Sequence, residues 1–185
     1  MTIRNERRDA AIERMADHVL SQGLGAATLR PLAAAARTSD RMLLYYFAGK
    51  DELIAATLAR IAARMIAELD SAIPIEPLQP FSLLLVQVWA ALGTESLQPF
   101  MHVWLDIASG AARGLKAHRD IAGDIADGFL VWVTTRLERE SDGGPSLSGP
   151  LFLAAIEGMY LLRTIGRGAM ADSAAIELVS RMGTS

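Results

Sequence analysis

Cysteine is absent from the 185-residue chain and histidine occurs only three times. Disulfide frameworks, thiolate zinc sites and thiol catalysis are excluded together, and clustered imidazole metal sites are not expected, so metal chemistry would rest on carboxylates. Long apolar runs are missing too. The longest mainly apolar stretch, Leu83 to Leu92, is interrupted by Gln87 and falls short of the roughly 18 residues that a membrane-spanning helix requires. Arg4, Arg7 and Arg8 are followed by alternating apolar and charged residues in place of the unbroken apolar core of a secretory signal. The expectation is a cytoplasmic protein with no membrane partner. Period-2 alternation of β-branched residues is lacking while alanine is abundant throughout, which points to an all-α class. HExxH, GxSxG and Walker strings are lacking as well, so neither an enzyme nor a cofactor is expected. Gly166 to Ala171 formally spells GxGxxA, but with no strand before it the phosphate-cradling reading fails its structural condition.

What is present is an ordinary globular balance, 51% hydrophobic and 21% charged, which argues for folding around a real core. The length suits one domain, or a small and a larger unit sharing a core. Charge is unevenly shared. Residues 1–50 hold eight Lys or Arg against five acids, 8 − 5 = +3, while the remaining 135 residues hold ten against sixteen, −6. A basic head on an acidic body suits a nucleic-acid binder with a separate sensing or assembly part, because phosphate attraction matters only where contact occurs; the plainer alternative is a solvated helix face.

Apolar spacing predicts a first helix from Arg7 to Gln22, with Ile12, Met15, Ala16, Val19 and Leu20 on one stripe and Gly23 and Gly25 closing it. Thr28 is placed to cap a second helix running from about Leu29 to Ala36, with Pro31 tolerable in its first turn. Ser39 can cap a short third helix carrying Leu43 and Phe47 on one face, ending near Ala48-Gly49. Asp51 and Glu52 favour the start of a fourth helix of about twenty residues. Pro74, Pro77 and Pro80 mark a linker or sharp corner. Beyond it, apolar segments lie at about 81–93, 99–113, 117–140 and 150–167, with a last short one near 173–182. Breaks are expected at Gly93, Gly114, Asp142-Gly143-Gly144-Pro145, and around Gly166 and Gly168.

Two helices joined by a turn of three or four residues, the second short, form a helix-turn-helix. The turn fixes an angle at which the second helix can enter a major groove roughly 12 Å wide while the first braces it across the backbone. Leu29, Leu32, Ala33, Ala36, Leu43 and Phe47 can meet inside, and Arg41 and Tyr45 fall at i, i+4 on the opposite, outer face. Arg41 can bond a guanine edge or a phosphate. Tyr45 and Tyr46 can donate to phosphate or pack on the core. Lys50 sits at a helix start where its charge and free amides attract the same anion, or is simply solvated.

The stretch Thr28-Leu29-Arg30-Pro31-Leu32-Ala33, then Ser39, Leu43, Tyr45-Tyr46-Phe47 and Lys50-Asp51-Glu52-Leu53 resembles the N-terminal DNA-binding region of TetR-type bacterial transcriptional regulators, over about residues 8–55. The resemblance implies an all-α fold with an N-terminal three-helix helix-turn-helix DNA-binding domain, residues 1–50, and a C-terminal helical bundle for ligand binding and dimerisation, residues 51–185. It further implies a homodimeric, usually repressing regulator of a double-stranded DNA operator, released by a small-molecule effector. The DNA-contacting set it implies is Thr28, Arg30, Ser39, Asp40, Arg41, Met42, Leu44, Tyr45, Tyr46 and Lys50. Three positions depart from the usual pattern: Arg37 stands where the turn commonly has Gly, Asp40-Arg41 where Lys-Gly is frequent, and Leu44 where a phosphate-bonding Tyr is frequent. A left-handed backbone at Arg37 would cost about 1–2 kcal/mol, and Leu44 can offer only apolar contact, such as with a thymine methyl.

The body holds all three Trp, at Trp89, Trp104 and Trp132, with Phe81, Phe100, Phe129, Phe152 and Tyr160, a helix-bundle core by composition. Gln87, His102, Asp106, Glu157 and Arg163 lie within otherwise apolar segments and are either surface groups or the few polar groups a ligand pocket needs. His102 and Asp106 are i, i+4 and can bond one another. The candidate pocket set is Trp89, His102, Trp104, Asp106, Trp132 and Glu157. Small residues near Leu151 to Arg167 allow close helix approach, so Ala155, Gly158, Met159 and Leu162, with Ile176, Val179 and Met182, are candidates for a dimer face or for burial within one subunit. Two other classes stay open: an α-helical small-molecule carrier or enzyme without DNA binding, and an adaptor using the aromatic run as a protein anchor.

Overall fold

The computed structural model describes residues 3–138 and 148–182, and within them the chain is all-α. The helices are α1 (Ile3–Gln22), α2 (Leu29–Ala35), α3 (Asp40–Tyr46), α4 (Lys50–Ala72), α5 (Phe81–Ala91), α6 (Gln98–Ala112), α7 (Lys116–Thr134), α8 (Ser148–Thr164) and α9 (Gly168–Met182), with a 3-10 turn at Leu24–Ala26. Among the described residues the only β-type pairing is an isolated bridge between Gln79 and Leu137. The break expected at Asp142-Gly143-Gly144-Pro145 lies outside the described residues.

Two compact units emerge, one from Met1–Met65 with Glu95–Ile125, the other from Ile66–Thr94 with Ala126–Ser185. In the first, α1 turns Ala11, Ile12, Met15, Ala16 and Val19 inward, meeting Leu32, Ala33 and Ala36 of α2 and its C-terminal end, Leu43 and Phe47 at α3, Leu53, Leu58 and Ile61 of α4, and Val103 and Ile107 of α6. Each fully buried Leu or Phe side chain contributes about 1.5–3 kcal/mol of apolar burial, so the short α2 and α3, seven residues each, are held by packing where isolated helices of that length would not persist. At the rim, Glu13 and Asp17 of α1 bind Arg60 and Arg64 of α4. Partial burial lowers the proton affinity of Arg64, but its hydrogen bonds to Asp17 and Glu13 and their charges outweigh that and hold the guanidinium above its ordinary value.

The second unit is built from α5, α8, α9 and the adjoining ends of α4 and α7. Phe81 meets Phe152 edge-on with centroids 5.3 Å apart, and Phe129 stacks on Trp132 at 5.7 Å. The proline stretch is a fixed corner. Ile73 is buried in it, Arg136 donates to the Ile73 carbonyl at 3.2 Å, and Gln79 exchanges backbone bonds with Arg136 and Glu138. That exchange also explains why the helix expected over 117–140 stops at Thr134: residues 136–138 are drawn off to pair with Gln79. The segment expected near 173–182 is in turn longer, because Gly168 begins α9 and the chain reverses at Gly166, whose φ is +78°.

Candidate nucleic-acid interface

Everything at this surface follows from how α3 is set. Ser39 takes extended backbone and its hydroxyl accepts from the Met42 amide at 3.2 Å, satisfying one of the helix's unpaired donors. α2 ends in a Schellman arrangement, the Arg37 amide bonding the Ala34 carbonyl and the Thr38 amide the Ala33 carbonyl, both at 3.0 Å. The residue that must turn left-handed in this motif is Arg37, with φ of +56°. The departure from glycine noted in the sequence therefore carries the expected strain, and the turn keeps its geometry. Arg14 of α1 donates to the Ala36 carbonyl at 3.3 Å and so braces the same turn.

Thr28 behaves differently from Ser39. It occupies the cap position of α2 with extended backbone but makes no side-chain hydrogen bond to the helix. A cap hydroxyl bonds the second or third amide of the helix, and here the third position is Pro31, which has none. The exposed Thr28 hydroxyl is left for another partner. At the start of α4, Glu52 accepts from the Ala48 amide and pairs with Arg8 at 3.3 Å, which fixes the helix end where Lys50 stands exposed.

Leu43 is fully buried and Phe47 nearly so. With those side chains clamped beneath α3, the others point outward: Arg41, Asp40 and Ser39 are exposed, as are Met42, Leu44 at 47% and Tyr45 at 60%. Thr28 and Arg30 are exposed too, and Tyr46 is half-buried against the core. The ten residues of the expected DNA-contacting set thus lie in the first unit, nine of them exposed. Sequence reasoning missed two cations beside them. Arg4 lies 4.9 Å from the Tyr45 ring centre and donates to the Tyr45 carbonyl at 3.3 Å, and Arg8 lies 4.7 Å from the Phe47 ring centre. Their i, i+4 spacing was the available signal, hidden by starting the first helix at Arg7 instead of Ile3.

The six expected pocket residues do not share one unit. His102, Trp104 and Asp106 belong to the first, and Trp89, Trp132 and Glu157 to the second. Asp106 bonds the Leu24 amide at 3.1 Å, tying α6 to the 3-10 turn, and His102 is exposed. Trp89 is buried, its indole donating to Asp172 at 3.0 Å with the Arg163 guanidinium 3.5 Å from the ring centre. Trp132 is buried likewise, donating to Asp70 at 2.7 Å beneath Arg136. Glu157 is half-buried. Among the polar groups singled out in the sequence, Gln87 Oε1 and Arg163 Nη1 are buried without a hydrogen-bond partner among the described residues. Burial pushes the nearby Tyr160 phenol up, against the opposing effects of Thr164 and Arg163.

Of the expected dimer-face residues, Gly158 and Ile176 are exposed, Ala155, Leu162 and Val179 are half-buried, and Met159 is turned into its own unit's core; the Met182 side chain lies outside the described residues. The sequence reading named neither Leu161 nor Ile165, yet α8 and its C-terminal turn expose both, along with Leu151, at helical spacing.

Residues 9–57 match the family model described as bacterial regulatory proteins, tetR family. No curated protein matches the chain. Among solved structures, the fold is similar to that of SCO7518, described as a transcriptional regulator of Streptomyces coelicolor A3(2), with 19% identity over 97% of this chain and 99% of that one and a TM-score of 0.73. A TetR-family regulator from Cytophaga hutchinsonii is 16% identical over 100% of this chain and 96% of its own, at 0.74. EbrR, named a multidrug binding protein and solved with imidazole, is 22% identical over 98% and 93%, at 0.70. Residues 9–57, running from α1 into α4, thus match the tetR-family model, and the fold of the chain as a whole is similar to that of these solved structures.

Proposed function

We propose that this protein is a cytoplasmic, non-enzymatic repressor that binds a pseudo-palindromic DNA operator as a homodimer and is released by a small-molecule effector. The observation that carries the reading is α3 itself: a short helix anchored by Leu43 and Phe47 that exposes Arg41, Leu44 and Tyr45 side by side. Residues 1–50 form the DNA-binding part and residues 51–185 the ligand-binding and dimerising part. Arg41 reads a guanine edge or holds a phosphate, Leu44 meets a thymine methyl, and Thr28, Arg30, Tyr45, Tyr46 and Lys50 bond the backbone. Ser39, Asp40 and Met42 line the entry of the helix.

The exposed apolar residues Leu151, Leu161, Ile165 and Ile176 of the second unit support pairing through α8 and α9. Two such subunits would present recognition helices about 34 Å apart, one turn of DNA. The unpartnered buried atoms of Gln87 and Arg163 support a ligand in the body, and EbrR, solved with imidazole and with proflavin, favours a small molecule as effector. Weakening DNA binding a hundredfold requires the ligand to prefer the released state by about 2.7 kcal/mol, within the usual range of coupling energies.

The test is a mobility-shift titration against DNA upstream of the coding region at two salt concentrations. Arg41→Ala should cost about 1–3 kcal/mol and relax discrimination at one base position if it reads an edge. Lys50→Ala should weaken binding to all sequences and lower the salt slope by about 0.9. Binding indifferent to salt and to both substitutions would favour a carrier, an enzyme or a protein adaptor instead.

A further inference from the structure

Beside α3, along its Met42 and Tyr46 edge, the first unit has a cleft of about 450 Å³ between α1 and the turn that joins α2 to α3. Its charged walls are Arg7 and Arg14 of α1, Arg37 of the turn and Glu6, and Met42 and Tyr46 of α3 form part of its floor. Three guanidinium groups against one carboxylate leave a surplus of two positive charges. Arg14 spends one hydrogen bond on the Ala36 carbonyl, while Arg7 and Arg37 have neither an ion pair nor a hydrogen bond among the described residues. Arg8, Arg60 and Arg64 of the same unit have carboxylate partners, whereas Arg7 and Arg37 face one another across the cleft with only Glu6 as an acid in its lining. The residue on the far wall, Arg37, moreover stands at a left-handed position where glycine would be free of strain, so a guanidinium is kept there against a backbone penalty.

We propose that this cleft is a phosphate-binding site in which Arg7, Arg14 and Arg37 hold one phosphate group. Guanidinium forks match the oxygens of a tetrahedral oxyanion and stay charged at any physiological pH, and a surplus of two charges suits a mono- or dianionic phosphate. The cleft is larger than a phosphate alone and its floor is partly apolar, so it admits the group together with the sugar or ring that carries it. Met42 and Tyr46 are one helical turn apart on α3, which means that an occupant bears directly on the recognition helix. The phosphate comes either from the DNA backbone flanking the groove, in which case the site extends the proposed interface and rests on that reading, or from a phosphorylated small molecule.

Two measurements on the full chain separate these sources, using wild type, Arg7→Ala, Arg37→Gly and, as a control outside the cleft, the exposed Arg113→Ala. The first is the salt dependence of binding to duplex DNA. A backbone phosphate in the cleft predicts weaker binding and a slope shallower by up to about 0.9 for each cleft variant, both unchanged for the control. The second is the thermal midpoint with and without pyrophosphate at fixed ionic strength. A free phosphate compound predicts a rise in wild type and the control that both cleft variants lose, with the DNA slope unaffected. Arg37→Gly guards against misfolding as an explanation, since relief of backbone strain should raise its own midpoint while its phosphate response disappears. Cleft variants indistinguishable from wild type in both measurements would overturn the site. If wild type bound no DNA, the regulatory reading would fall, and the pyrophosphate measurement would still decide the cleft.

Discussion

The two units place their charges and their apolar groups in opposite ways. In the first, the interior is aliphatic and aromatic, and its arginines lie at the rim or on the surface, where α3 offers Arg41 and Tyr45 to solvent. In the second, two guanidinium groups pack against indoles: Arg136 is 5% exposed, bonded to Asp70 and lying over Trp132, and the partly buried Arg163 covers Trp89, while Arg167 and Arg181 stay exposed. What it leaves outside is aliphatic, as with Ile165 at 62% and Ile176 at 71%. A surface of exposed cations and hydrogen-bonding aromatics suits a hydrated polyanion, for which its desolvation cost is low, as the proposed function requires. An exposed aliphatic stripe suits another apolar surface, as the proposed pairing requires. The sign of the charge follows the same division: the first unit holds 13 Lys or Arg against 11 acids, 13 − 11 = +2, and the second 5 against 10, 5 − 10 = −5.

If the first unit rests on apolar packing, its largest sensitivity lies under α3. Leu43→Ala removes a fully buried side chain and should cost about 2–5 kcal/mol, read as a lower urea midpoint. Leu44→Ala, one residue along on the exposed face, should stay within about 0.5 kcal/mol. Equal losses for the two would mean that α3 is not anchored by one face. The corresponding weak point of the second unit is electrostatic. Asp70→Ala takes away the carboxylate that accepts from both Trp132 and Arg136, leaving a buried guanidinium without counter-charge. Breaking such a pair costs up to 3–5 kcal/mol when both ions are buried. Asp70 is half exposed and Arg136 keeps its bonds to the Ile73 and Trp132 carbonyls, so about 2–3 kcal/mol is expected in the same titration. A loss above that of Leu43→Ala would reverse the comparison.

The contrast also explains which parts of the molecule could be read from sequence. The recognition unit is encoded locally: Ser39, Leu43 and Phe47 lie within nine residues, and helical spacing alone puts the last two on one face and Arg41 and Tyr45 on the other. The strain at Arg37 was legible for the same reason, because a turn between two short helices leaves few backbone choices. The body is encoded by pairs distant in the chain, Asp70 with Trp132 and Arg136, Trp89 with Asp172. Periodicity cannot announce such partners, so Trp89 and Trp132 could be named as core or pocket residues but not given their carboxylates. The i, i+4 pairing that spacing allows for His102 and Asp106 lost to a long-range one, the Asp106 bond to the Leu24 amide. The end of α7 was misjudged because what stops it, Gln79, lies more than fifty residues away.

A smaller effect tests the local side of this division. Ser39→Ala deletes the hydroxyl that accepts from Met42 and should cost about 1 kcal/mol, as helix caps do. Thr28→Ala occupies the same position on α2 but deletes no cap bond, and a few tenths of a kcal/mol is expected in stability. The two should exchange rank in DNA affinity, where the free Thr28 hydroxyl is the one available to a phosphate. A loss at Thr28 as large as at Ser39 in a thermal melt would show that its hydroxyl caps the helix after all.

A further small change has the opposite sign. Arg37 holds φ at +56°, a conformation costing a non-glycine residue about 1–2 kcal/mol. Glycine removes that strain but gives the unfolded chain more freedom, which returns about 0.5–1 kcal/mol. Arg37→Gly should therefore stabilise the fold by about 0.5–1 kcal/mol, seen as a rise of a few degrees in the melting midpoint, because the Arg37 side chain has no bond among the described residues to lose. Arg37→Ala separates the two contributions: it deletes the guanidinium but keeps the strain, so its midpoint should stay near that of wild type. A rise for alanine equal to that for glycine would place the penalty in repulsion among the neighbouring arginines, not in the backbone.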